Sequence, residues 1–152
     1  MLFRSGLAHC KSANIDLAEI VEARLAPDMF AFRSQIVSVV HHSAGAIAGA
    51  KAGVFMPPSD KRPHDYAGLQ QIVAEARDAL KAVTPDEINA LEGKDVTFVL
   101  GETKIPFTAE NFLMSFSTPN LHFHATTAYD ILRGKGVPVG KRDYMGPLRI
   151  KK

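Results

Sequence analysis

At 152 residues, 46% hydrophobic and 22% charged, the chain has the size and composition of one globular domain spanning 1–152. A net charge of +2 is too small to call for nucleic acid or a membrane surface, and no window reaches the ~18 uninterrupted apolar residues of a membrane span. The single cysteine, Cys10, excludes an internal disulfide and fits a soluble protein of the reducing cytoplasm.

Met1 to about Lys11 reads as a short, poorly patterned helix; it lacks the ~7–15-residue apolar core of a secretory leader. Cys10 is expected to be exposed there. Asn14 to Leu25 reads as a turn and a second short helix, capped by Asp16, with Leu17, Ile20, Val21 and Leu25 on one side. Pro27-Asp28 restarts the chain, and a long helix follows to about Ala52. It is apolar almost all round, so it is expected to be buried on most sides. One of its lines, Gln35, Ser38, His42, Gly45 and Gly49, is small or polar. The next, Val37, His41, Ala44 and Ala48, is small and apolar apart from its histidine.

Val54 to His64 reads as a loop, with Pro57, Pro58 and Pro63 among charged residues. Tyr66, Leu69, Val73, Ala76, Leu80 and Val83 mark a third long helical stripe. Thr84-Pro85-Asp86-Glu87 is a capping box with proline at the first helical position, so a short helix follows and ends before Gly93. From Asp95 to Thr108 the period changes to two. Val96, Phe98 and Leu100, a Gly101-Glu102 turn, then Ile105 and Phe107 predict a β-hairpin whose second strand Pro106 confines to an edge. Thr108 caps a last helical region that Pro119 kinks or restarts, and Gly134, Gly136 and Pro138 end it. Lys141, Arg142, Arg149, Lys151 and Lys152 make a basic tail that carries no recognition pattern of its own.

The chemistry-bearing residues are histidines. Leu121, His124, Ala125, Ala128 and Leu132 form one helical face, so His124 points at the core and needs a partner there. His122 falls instead on a polar line with Thr126, Tyr129 and Arg133. His41-His42 lie inside the earlier long helix. Two helices that each aim an imidazole inward suggest a metal site or a polar pocket, because zinc and its neighbours take neutral imidazole or carboxylate ligands. The i−4 position from His124 is Asn120, a poor metal ligand, so the last helix supplies one convincing ligand. His9 and His64 are expected at the surface. Hydrogen-bonded core histidines without a metal are the competing reading. No glycine-rich phosphate loop, CxxC pair or nucleophile elbow is present.

Arg24-Leu-Ala-Pro-Asp-Met-Phe30, Thr126-Thr-Ala-Tyr129, Ile131-Leu-Arg133 and Gly136-Val-Pro-Val-Gly-Lys-Arg-Asp143 resemble a family of unknown function within the DinB-like (YfiT-like) superfamily. The resemblance spans roughly Ile15 to Gly146. It implies an all-α fold: a four-helix bundle in up-down-down-up order, often dimeric, with a hairpin before the last helix. It also implies a divalent metal such as zinc, nickel or iron. In better-known relatives, thiol-dependent transferases, one histidine of the second helix and two, four apart, on the last hold that metal. Here His42 (or His41) matches the first ligand and His124 the last, and Asn120 falls at the third position. The first helix is truncated against the resemblance. The uncovered apolar groove this leaves predicts a homodimer. The functions that follow are a metal-dependent transferase or hydrolase, or a non-catalytic bundle that binds a small molecule or protein partner.

Overall fold

The computed structural model describes residues 2–58 and 64–151, so Pro63 of the expected loop and Lys152 of the basic tail lie outside the described residues. Helix α1, Leu2–Ala13, turns Gly6 and Cys10 inward one helical turn apart. It stops where Asn14 takes the left-handed conformation at φ 54° and the Ile15 N–H closes back onto the Cys10 carbonyl at 2.9 Å. Cys10 is therefore not exposed as its unpatterned surroundings suggest: it is 1% accessible. The gap left by Gly6 admits the Tyr66 hydroxyl, which donates to the Phe3 carbonyl at 2.9 Å and ties α1 to the helix that Tyr66 opens.

Helix α2, Leu17–Val21, begins at Asp16, whose carboxylate accepts from the Ala18 N–H at 2.9 Å. It ends earlier than expected, and Leu25 is exposed rather than aligned with Ile20 and Val21. Pro27-Asp28 does not start the long helix. Pro27 is the second residue of a turn closed by the Met29 N–H on the Ala26 carbonyl at 3.0 Å. Helix α3 begins only at Phe32 and runs as Phe32–Val40. A π-helical turn, His41–Gly45, follows, and then α4, Ala46–Ala52, which Gly53 ends at φ 74°. Burial is one-sided: Phe32, Gln35, Ile36, Ala46 and Ala50 are covered, while Arg33 and Ala48 face solvent.

Where a loop was expected, Val54–Phe55 form strand β1. The strand passes so close to α4 that a Cβ on Gly49 would lie 2.7 Å from the Phe55 ring, which is why a glycine stands there. Helix α5, Tyr66–Ala82, is capped by Asp65 and buries Tyr66, Leu69 and Ala76. Helix α6, Pro85–Asn89, carries the expected capping box between Thr84 and Glu87.

Strands β2, Asp95–Leu100, and β3, Thr103–Thr108, form the antiparallel hairpin, with Gly101 at φ 58° in its turn. β1 adds in parallel beside β2, giving the order β1-β2-β3 with Pro106 on an edge strand. Leu100 and Ile105 at the tip are exposed, so only the base of the hairpin faces the core. Helix α7, Ala109–Asn111, a second π-helical turn, Phe112–Ser117, and α8, Thr118–Gly134, then form one continuous rod. Pro119 does not interrupt it. Its missing N–H falls just past the π turn, where the hydrogen-bond ladder is already changing register. A short α9, Lys141–Met145, follows, and at its start the Gly140 N–H donates to the Asp143 carboxylate at 2.8 Å.

Among the described residues, two apolar clusters hold the molecule together. One joins α1, α2, α3, α5 and α8 around Phe32, Leu69, Ile131 and Leu132. The other joins α4, β1, β2 and the first π-helical residues of the α7–α8 rod around Phe55, Val96 and Phe112. The fold is mostly helical with one small three-stranded sheet. No helix among the described residues is long and apolar enough to cross a membrane.

Candidate functional site

The histidines meet where the two clusters join. His42, in the first π turn, and His124, on α8, stand 5.9 Å apart between ring centroids with planes only 15° off parallel. His42 also leans on Phe55 (5.5 Å) and Phe116 (5.8 Å), and the Phe123 ring meets His124 edge-on at 5.3 Å. Both imidazoles are half-buried. The π turn widens the helix by one residue per turn just where His41 and His42 leave it, a device frequent at functional sites.

Each ring has one nitrogen engaged by an oxygen. His124 Nδ1 lies 2.7 Å from Gln35 Oε1. His42 Nδ1 lies 3.3 Å from Ser117 Oγ. Gln35 and Ser117 are each 1% exposed. Burial lowers both histidine pKa values. For His42 desolvation is the largest cause, the neighbouring His41 and His124 add to it, and the value falls to about 4; for His124 burial alone acts downward. Both rings are therefore neutral near pH 7 and can offer lone pairs.

The other expected residues behave differently. His41 stacks on Phe55 at 4.2 Å and stands edge-on to His42 at 5.3 Å. Among the described residues its buried Nε2 has no hydrogen-bond partner, and desolvation lowers its pKa against a smaller upward pull from the Met56 backbone. Asn120 spends its amide nitrogen on the Phe116 carbonyl at 2.7 Å. His122 is exposed and faces the Tyr144 hydroxyl at 3.5 Å, which also accepts from Thr126 at 3.2 Å. His9 and His64 are partly buried rather than fully at the surface. Gln35, Ser117 and Phe55 are the site residues that sequence reasoning missed. The one available signal was an uncharged amide between the core residues Phe32 and Ile36.

The donor chemistry fits a divalent transition metal, since two neutral imidazoles stand close together with their Nδ1 atoms already engaged. The donor count is smaller than a three-ligand site needs. Among the described residues no group of three His, Cys, Asp or Glu side chains comes together to hold an ion.

A crystal structure of a DinB family member protein from Shewanella denitrificans is similar over 99% of this chain and 85% of its own, with 26% identity and a TM-score of 0.83. No curated protein matches the chain. A domain family of unknown function, DUF1993, matches residues 1–145, and with the DinB-type structural likeness this places the protein: the chain belongs to the DinB-like family DUF1993.

Proposed function

We propose that the protein is a single-domain, divalent-metal-binding member of the four-helix DinB type, with His42 and His124 as its protein ligands. The observation that carries this reading is the pair of near-parallel imidazoles 5.9 Å apart, each with Nδ1 against an oxygen and, among the described residues, no hydrogen-bond partner at Nε2. His41, whose ring stands 5.3 Å from His42, and Asn120, one helical turn before His124 on α8, serve as reserve donors. A zinc, nickel or iron ion bound there supplies a Lewis acid with positions open to water or a thiol, the requirement of hydrolase or transferase chemistry.

The chain's own residues prepare that site. Burial keeps both rings unprotonated near neutrality, so no proton competes for the ligating nitrogens. Buried Phe55 and partly buried Phe116 cover one flank of the His42 ring. The test is metal analysis of protein purified without a histidine tag. We expect His124→Ala to lose the metal and His122→Ala, whose ring faces Tyr144, to keep it. Full metal content in His124→Ala, or none in the wild type, would refute the reading.

A second reading is a non-catalytic bundle that binds a small molecule or a protein partner. It is favoured by an apolar cavity of about 620 Å³ between α1, α3, α8 and α9, lined by Phe3, Phe32, Ile36, Leu121 and Leu132 with Tyr144 at the rim. Helix α1 has 12 residues against 17 in α5 and in α8, and the groove it leaves open is apolar surface of the kind that supports a homodimer.

A further inference from the structure

We infer that Gln35 and Ser117 are positioning residues that lock His124 and His42 in the tautomer protonated on Nδ1, so that each ring offers Nε2. The purpose assigned to this lock rests on the metal reading above; the lock itself is a property of the metal-free chain.

For His124 the lock begins at a backbone carbonyl. Gln35 Nε2 donates to the Phe30 carbonyl at 2.9 Å, which fixes the amide so that Oε1, an acceptor only, faces His124 Nδ1 at 2.7 Å. Turning the amide over would set its oxygen against the Phe30 oxygen with no proton between them. Gln35 is 1% exposed, so water cannot relieve that contact. His124 must therefore carry its proton on Nδ1.

For His42 the lock begins at one hydroxyl proton. Ser117 Oγ donates it to the His42 carbonyl at 3.1 Å. The remaining lone pairs of Oγ face His42 Nδ1 at 3.3 Å, and only an N–H can satisfy them there. One serine thus holds both the backbone and the ring of the same residue across two π turns.

The Arg24–Phe30 loop acquires a purpose in this arrangement. Its turn is closed at Ala26–Met29, Arg24 donates to the Met29 carbonyl, and the loop ends in the carbonyl that orients Gln35. It supports His124 from two residues away, as outer groups support a metal-binding imidazole.

Long-range ¹H–¹⁵N NMR of histidine-labelled, metal-free protein at pH 7.5 reads the two ring nitrogens separately. We expect protonated Nδ1 and bare Nε2 on both His124 and His42. Gln35→Met should release His124 alone from that pattern, and Ser117→Ala should release His42 alone. Zinc affinity by chelator competition should fall about 10- to 100-fold in Gln35→Met. Bare Nδ1 on either ring of the wild type overturns the inference, a measurement that no variant's folding can confound. An unchanged His124 signal in a folded Gln35→Met also overturns it. If the tautomers stand and zinc does not bind, the metal reading fails and this one survives.

Discussion

Acid should weaken the metal-free protein well above the range where carboxylates titrate. The pKa of His42 lies near 4 in the folded chain against an ordinary 6.5. Between those values the unfolded chain binds the proton that the folded chain refuses, so stability is complete above about pH 7 and is lost as pH falls toward 4. The gap corresponds to about 3.4 kcal/mol at about 1.36 kcal/mol per pH unit. The ring is only half-buried, and solvent screening reduces this to about 1.5 kcal/mol, more than half of it lost by pH 5. His41 and His124, lowered in the same direction, steepen the fall. Asp78, Glu87 and Glu110 have lowered pKa values, so what they contribute is lost only from about pH 5 downward, through the ordinary carboxylate range, and for Glu87 on toward 2. Urea titrations followed by circular dichroism at pH 7.5, 6.5, 5.5 and 5.0 therefore isolate the histidines. The His42→Gln variant should show a clearly flatter dependence. A flat wild-type curve, or equal slopes in the two proteins, would refute the reasoning.

A Cβ on Gly6 would lie 2.2 Å from the Tyr66 hydroxyl and 3.4 Å from its ring carbon. Gly6→Ala should thus cost about 1–3 kcal/mol in urea titrations, and distinctly less in a Tyr66→Phe background, where the hydroxyl is gone. Equal costs in both backgrounds would rule out that clash. Light scattering at micromolar concentration should give a dimer mass; a monomer mass would defeat the homodimer proposal.

What was legible in the chain was local. The 3.6-residue stripe of Tyr66, Leu69 and Ala76, the Thr84–Glu87 capping box and the alternation of Val96 and Phe98 each carry their cause within a few residues, and α5, α6 and β2 follow them. The inward face of His124 was legible for the same reason. β1 was not, because two residues make a strand only when Thr97 and Phe98, more than forty positions later, pair with them. Pro27-Asp28 misled because proline suits the second position of a turn as well as the first of a helix. The π turns were hidden because a uniform 3.6-residue count cannot register an inserted residue. That count placed Gln35 and His42 on one line, yet Gln35 bonds His124 and His42 bonds Ser117.

The placement of Cys10 makes its thiol a built-in gauge of how often the first helix lifts away. The side chain is 1% accessible, and burial, with Glu19 nearby, pushes its pKa above 9.0, so little thiolate exists and none is presented to a reagent while α1 is docked. Alkylating agents and peroxides can reach the sulfur only in the moments of local opening. The labelling rate, set against that of an unstructured thiol, is then the equilibrium population of the undocked helix.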